Sequence, residues 1–397
     1  MASKRTAWPA ISFAEHPWRS SPDVPASNRD RRRARGPYRS AVVPTIAKAN
    51  LSLPAEVAAA AEDAINEIAR FDSEVGSEIA PFSAILLRSE SAASSKIENL
   101  TASARAIAEA GLGYGSRNAS LIVANERAMS AAIALADRLD GPAILGMHDA
   151  LLRATAASIA GKWRTEQVWI GGGNLSPHDA IFVPPHHELV PGAIDDLVQF
   201  IARTDVPTLA HAAIAHAHFE TIHPFADGNG RVGRALVHAQ LRNARLTRHV
   251  TVPVSAGLLT DVNAYFTALD DYRQGNVIPI VEQLTSASFA AIANGRRLVA
   301  DLNRVRAEWS DRVSVRRGAA AWKVLDVAVR HPVLNAALLA RELNISSTNV
   351  YRVLQPLIDA QVLVEFTNKK RDRLWRTPDV LTALDAFAQR AGRRQRT

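Results

Sequence analysis

Twelve residues, His223 to Arg234 (HPFADGNGRVGR), constrain this chain more than any other stretch. Pro224 steers His223 away from the α region, so the Ala-rich helical run Leu209 to Ile222 stops there and leaves an imidazole at a loop edge. With an unperturbed pKa of about 6.5, that ring can accept a proton near neutrality. Gly228 and Gly230 permit positive φ and a close backbone approach, so that successive N–H groups point at one anion. A second helical run, Arg231 to Arg245, follows at once and adds the partial positive charge of its N-terminus. Arg231 and Arg234 stand three apart on one face of it, where two guanidinium forks can grip phosphate oxygens. Asp227 would repel such a ligand unless a divalent cation bridges them, and Mg²⁺ commonly binds through a carboxylate plus substrate phosphates. The pattern therefore predicts two helices joined by a polyphosphate-binding turn, with a base on one side.

Each part has a plainer meaning in isolation: a histidine before proline, a Gly-Asn-Gly turn, a pair of arginines on a solvated helix face. Their combination matches His-x-Phe-x-Asp/Glu-Gly-Asn-Gly-Arg-x-x-Arg at every defined position. In this the chain resembles the Fic (Fic/Doc) family, over roughly Leu51 to Arg297. The resemblance implies a mainly α fold, a helical Fic domain with a short β-hairpin flap, that transfers AMP from ATP to a hydroxyl group on a protein. It gives His223 the role of catalytic base, Asp227 that of Mg²⁺ ligand, and Gly228, Asn229 and Gly230 that of phosphate cradle. Arg231 and Arg234 position the β and γ phosphates, and Phe225 packs in the core. Within the run Thr260 to Gly275 it implies an aromatic against adenine, Tyr265 or its neighbour Phe266; a core tyrosine is the plainer alternative.

Pro81 to Leu100 reads as a helix with Ser94 and Glu98 on one face. Ser94-Ser95-Lys96-Ile97-Glu98-Asn99 resembles the family's inhibitory motif, Ser/Thr-x-x-x-Glu-Gly/Asn. That resemblance implies autoinhibition by Ser94, Glu98 and Asn99, with Glu98 pairing with Arg234 in place of the γ-phosphate.

The remaining segments arrange themselves around these two. Residues 1–47 mix Pro, Ser and Trp with the run Arg29 to Arg35 and read as a basic, partly irregular arm. A helical region at 48–115 carries the inhibitory motif, and the core spans 116–300. Inside the core, Val168 to Gly173 and Ala180 to Pro185 are β-like runs about a polar turn. They resemble the Fic flap, which implies that a target protein is bound by strand addition near Val168 to Val183. His178, His186 and His187 lack helical spacing and an evident carboxylate partner, so they read as loop histidines. His211, His216 and His218 read as polar-face or core-edge residues. A helical connector, 301–318, leads to a unit at 319–390 that resembles a winged helix-turn-helix. There Thr348, Asn349 and Arg352 would enter a DNA groove and Lys369 to Arg371 would touch phosphate. Pro356 should kink or end that recognition helix, and protein docking is the alternative use of such a unit.

Composition narrows the setting. With no cysteine, disulfides, thiolate metal sites and a cysteine nucleophile are excluded. No apolar run approaches a membrane span and no leader is apparent at the N-terminus, so a cytoplasmic protein with no membrane contact is the expectation. The net charge of +8 suits an acidic or nucleic-acid partner. Four questions stay open at this level: whether the site removes AMP instead of adding it, whether ATP is the donor, whether the chain is a nucleotide-sensing DNA-binding regulator, and whether it forms a homodimer.

Overall fold

The computed structural model describes residues 8–19, 24–76, 82–316, 319–367 and 372–392. They belong to two compact units, one made of Met1–Asp63, Ala131–Ala244 and Asn263–Thr285, the other of Ala64–Ser130, Arg245–Val262 and Ser286–Thr397. Among the described residues no helix is long and apolar enough to cross a membrane.

The first unit is built around the helix Thr208–Ile222, in which every residue from Leu209 to Ile222 is buried. Its sequence has no polar stripe, and a helix apolar all round belongs in the interior. The helices Val190–Ile201 and Asn229–Asn243 pack on it. His211, His216 and His218 are therefore interior residues, where polar-face or core-edge positions were expected. One nitrogen of each ring meets a partner: His211 Nε2 the carbonyl of Phe200 (2.8 Å), His216 Nε2 the Tyr265 hydroxyl (2.7 Å), His218 Nδ1 the Tyr272 hydroxyl (2.9 Å). Buried polar groups persist in a core on this condition.

The N-terminal arm is more regular than its composition suggests. Ser12–His16 and Tyr38–Val42 form an antiparallel ladder with Ser12 opposite Val42 and His16 opposite Tyr38. Tyr38, Ser40 and Ala41 are buried while Arg39 is exposed, a strand pattern too short to stand out among the prolines and arginines. Most of the basic run lies on a single helix, Asn28–Arg33, whose first turn is capped by Ser27 Oγ accepting from Asp30 N–H (3.1 Å). The Ala41 N–H donates to the Val183 carbonyl (2.9 Å), so the hairpin continues into the expected flap. There the two β-like runs meet at one antiparallel bridge, Ile170 with Phe182, separated by a 3-10 turn at Pro177–Asp179.

In the second unit the helix Phe82–Ile97 is held by helix Val254–Leu258, through a buried Glu90 that accepts from Ser255 N–H (2.8 Å) and its hydroxyl. One helix runs unbroken from Ile278 to Arg312, across position 300. The C-terminal segment has the order helix, strand, helix, helix, strand, strand: Ala320–Arg330, Val333–Asn335, Ala336–Leu343, Ser347–Asp359, Val364–Glu365, Leu374–Arg376. Its sheet places Leu374–Arg376 between the other two strands. Pro356 does not end the third helix, which continues to Asp359; only its last turn lies beyond the missing N–H, where little pairing is lost. The basic turn Lys369 to Arg371 and the Thr348 side chain lie outside the described residues. A final helix, Pro378–Ala391, packs on Phe82–Ile97 and Ala104–Gly111. It is also tied to the long helix by Trp309 Nε1–H donating to Asp379 (2.8 Å) and Arg390 Nε–H donating to Asn294 (2.6 Å). The inhibitory segment and the winged segment, separate regions by sequence, thus share one unit.

Candidate functional site

The central helix ends on His223, whose backbone is left-handed at φ 49°, ψ 61°, with its N–H returned to the Phe219 carbonyl (2.9 Å). A non-glycine residue in this region is uncommon and marks a position held by its surroundings. The holding group is Arg164. Buried to 5% exposure, it donates Nε–H to the His223 carbonyl (2.9 Å), Nη1–H to Glu166 O (3.1 Å) and Nη2–H to Pro185 O. Its own N–H donates to Pro224 O (2.9 Å). One guanidinium therefore ties the histidine's backbone to the root of the flap.

The loop from Pro224 to Gly228 is closed from within. The Asn229 carboxamide accepts from Phe225 N–H and donates to Phe225 O, both at 2.8 Å. Phe225 is fully buried, its ring stacked on His148 (3.7 Å, 7°) and Trp163 (5.1 Å, 23°). His148 adds a second restraint: Nδ1 accepts from Gly161 N–H (3.1 Å), so the proton sits on Nε2, which donates to the Asp227 carbonyl (3.0 Å). Gly228, at φ 84°, is the N-cap of the motif helix Asn229–Asn243, and a Cβ there would come within 2.8 Å of Leu151. The first intrahelical bond runs from Val232 N–H to Gly228 O (3.0 Å). The N–H groups of Asn229 and Gly230 precede it, at the positive end of the helix.

Arg231 and Arg234 are buried on the first two turns of that helix, 3% and 4% exposed. Asp227 is exposed; its Oδ1 receives Gly228 N–H (2.6 Å) and Arg231 Nη2–H (3.2 Å). A single outward carboxylate beside two arginines fits Mg²⁺ in its usual manner, one carboxylate plus phosphate oxygens and water.

His223 is held well below the usual histidine range, first by burial, then by the charges of Arg164 and Arg273, with Glu220's backbone opposing. A fifth of the side chain remains open to solvent, which moderates the burial effect but leaves its direction. The ring is neutral at neutral pH. The Glu220 carboxylate lies 4.0 Å from Nδ1, and a proton on that side leaves Nε2 as the basic nitrogen. Arg273 also covers the ring of flap residue Phe182 at 3.7 Å. Of the two aromatic candidates nearby, Tyr265 is 1% exposed and bonded to His216, whereas Phe266 is 46% exposed. Ser94, Glu98 and Asn99 fall in the other unit, at the C-terminal end of the helix Phe82–Ile97.

Residues 138–241 match the Fic/DOC family model, a span that holds the central helix, the turn and all but the last two residues of the motif helix. This segment is a Fic/DOC family domain. Over 152 residues, 38% of this chain, it is 30% identical to the protein adenylyltransferase fic-1 of Caenorhabditis elegans, of which the match spans 27%. It is likewise 30% identical over 145 residues, 35% of this chain, to the protein adenylyltransferase Fic of Drosophila yakuba, of which the match spans 26%. The chain thus spans about a quarter of the length of these relatives. Among solved structures it resembles a Fic family protein from Desulfovibrio desulfuricans, with a TM-score of 0.52, 22% identity and coverage of 82% of this chain and 97% of that one. This last likeness speaks for the fold alone.

Arg164, His148, Glu220 and Arg273 escaped the reading of this Fic domain from sequence. Each lies outside the motif or beside it and acquires its role through contacts the primary structure does not announce.

Proposed function

We propose that this protein is a Fic-type adenylyltransferase that moves AMP from ATP to a hydroxyl side chain of a target protein. The observation that carries this reading is the juxtaposition of a neutral, backbone-clamped His223 with a helix N-terminus flanked by Asp227, Arg231 and Arg234. His223 Nε2 takes the proton of the acceptor hydroxyl as its oxygen attacks the α-phosphorus. The bond from that phosphorus to the bridging oxygen of the β-phosphate breaks, and pyrophosphate leaves. In such a transfer catalysis comes chiefly from positioning and charge neutralisation. The N–H groups of Asn229 and Gly230 face the phosphate oxygens, while Arg231 and Arg234 offset the leaving group's charge. Asp227 would hold Mg²⁺, which neutralises phosphate charge when bound. Asn229 acts on the phosphates through the loop it closes, its carboxamide being engaged with Phe225. For adenine, the exposed Phe266 is better placed than Tyr265, whose ring is enclosed.

The same reading takes Glu98 as an internal competitor for the γ-phosphate position. Its support is local. Leu100 N–H bonds Ser95 O and Asn99 N–H bonds Lys96 O, each at 3.0 Å, with Asn99 left-handed at φ 61°. This is a Schellman cap, and it fixes Glu98 as the last residue before the chain turns away. The motif's demand for Gly or Asn after Glu follows, since those residues tolerate the left-handed region best.

The deciding experiment is intact-mass analysis of the Glu98→Gly protein incubated with ATP and Mg²⁺. Addition of an adenylyl group, absent when His223→Ala is added to Glu98→Gly, is expected. No mass shift with ATP, and one with GTP or UTP instead, would reassign the donor. Release of AMP from a modified target, without any forward transfer, would reverse the direction.

A further inference from the structure

At the root of the flap, directly after Pro184-Pro185, the chain makes a 3-10 turn at His187–Leu189, closed by Leu189 N–H to His186 O (2.9 Å). The turn brings His186 and His187, which read as loop histidines for want of helical spacing and an evident carboxylate, together with the carboxylate of Glu188. We propose that His186, His187 and Glu188 bind a divalent transition-metal ion of the zinc type, separate from any magnesium at Asp227.

Geometry supports the assignment first. One donor atom from each residue lies within 4.8 Å of the others, the single such grouping of three among the described residues. His186 Nδ1 and Glu188 Oε2 are already 3.5 Å apart. In a tetrahedral zinc site with bonds of about 2.1 Å, ligand atoms stand roughly 3.4 Å apart. That pair is at coordination spacing, and the third donor has about an ångström to travel. Glu188 is 78% exposed, so its rotamer can change freely.

Ring packing supplies the second argument. His186 lies against His16 at 4.7 Å and 11°, and against His187 at 4.1 Å and 39°. Its plane is set from two directions before any ligand arrives, which lowers the entropy lost on binding. Three imidazoles are thus gathered where the β-ladder of the N-terminal arm meets the flap.

The third argument is unsatisfied bonding. His187 Nδ1 and His16 Nε2 are buried and have no hydrogen-bond partner among the described residues. An unpartnered buried polar atom costs about 1–3 kcal/mol, and such an atom in a native fold points to a missing partner such as an ion. Coordination through His187 would relieve one of the two. His16 Nε2 is a further donor beside the cluster, for a coordination position the three residues leave open.

Donor chemistry selects the ion. Two imidazoles with one carboxylate favour Zn²⁺, Ni²⁺ or Cu²⁺ over Mg²⁺ or Ca²⁺, which take oxygen. The site also has a mechanical consequence. Pro185, one residue before it, accepts from Arg164, the group that clamps His223. An ion there would stiffen the flap at its attachment to the histidine's clamp.

The test uses the full chain, stripped with a chelator and titrated with Co²⁺ and then Zn²⁺. One equivalent of Co²⁺ with the intense visible absorption of tetrahedral coordination, displaced by Zn²⁺, is expected. His186→Ala and His187→Ala should abolish the band, and Glu188→Gln, on an exposed side chain that folding does not need, should weaken binding about tenfold. Asp227→Ala should leave the band unchanged. Zn²⁺ should raise the melting temperature of the parent protein and not that of His186→Ala. Absence of tetrahedral Co²⁺ binding overturns the proposal, as does binding that survives both histidine substitutions or vanishes with Asp227→Ala.

Discussion

Arg164 Nε–H reaches the backbone carbonyl of His223, 59 positions further along the sequence, at 2.9 Å. The contact explains how a histidine can be kept at positive φ where the central helix stops. Four of the guanidinium's contacts are to carbonyls, of residues 166, 185, 222 and 223, and burial lowers its pKa to about 10, still far above neutrality. The charge is spread over dipoles instead of being cancelled by a carboxylate. Its forked shape is the property in use, since a lysine has one donor centre and cannot span the same acceptors.

Arg164→Lys should therefore keep the charge and lose the positioning. A displacement of His223 by about an ångström can cost ~10²-fold in rate, so kcat for self-modification should fall by about that factor with the KM for ATP little changed. Arg164→Ala should in addition destabilise the protein by about 3 kcal/mol, leaving carbonyls without a charged donor. Both are read by rate measurements on the Glu98→Gly background and by thermal melts. A Lys variant as active as its parent would remove the positioning role.

How far the sequence announces this site depends on where its parts lie. His223 to Arg234 could be read because base, turn and cations are contiguous, so that spacing alone sets their geometry. Arg164 and His148 could not, since a buried arginine on carbonyls looks in sequence like any surface arginine. Their partners stand 59 and 79 positions away. The two helices flanking the turn and the helix Phe82–Ile97 were legible to within a few residues through proline, glycine and capping signals; the helices Asn28–Arg33 and Pro378–Ala391 and the strand Ser12–His16 were not, the strand's five residues being too few for a visible alternation. The histidines of the central helix were misjudged because polarity suggests a surface, and the Phe200 carbonyl and the Tyr265 and Tyr272 hydroxyls make their burial tolerable.

Gly233 marks a close approach that the motif pattern leaves undefined. A Cβ placed there would lie 2.6 Å from Glu220 Oε1 and 3.0 Å from Phe219 Cδ1. Gly233→Ala must push Glu220 away, beside His223, or separate the two helices. Overpacking of this kind costs about 1–3 kcal/mol, more than alanine's gain of about 1 kcal/mol in helix propensity. The melting temperature should fall and self-modification should drop several-fold. A more stable, equally active variant would mean that the helices are not packed this tightly.

Acid should unfold the protein early. His216 and His218 are driven by burial to about 3, and His148 and His211 are lowered for the same reason. These rings stay neutral in the fold, whereas the unfolded chain protonates them below about pH 6.5. The unfolded state then binds more protons, so stability is full above that pH and declines as pH falls towards 3. Between pH 6.5 and 5 each fully buried ring contributes a loss of about 2 kcal/mol. Melts at pH 7, 6 and 5 should show an accelerating decline, shallower for His218→Gln. A flat profile over that range would contradict the buried neutral rings.

The cap at Asn99 offers a way to separate the inhibitory carboxylate from the backbone that presents it. Asn99 is left-handed at φ 61°, a conformation that costs an ordinary L residue about 1–2 kcal/mol and a β-branched one more. Asn99→Gly preserves the Schellman bonds to Ser95 and Lys96 and should behave as the parent protein, silent towards ATP. Asn99→Val strains the turn, frees Glu98 from its fixed position and should raise self-modification severalfold, though less than Glu98→Gly, which removes the competing charge altogether. Intact-mass time courses of the three variants rank them directly. If Glu98→Gly alone is active, the carboxylate inhibits but its cap is incidental; if all three match the parent, the segment plays no inhibitory part.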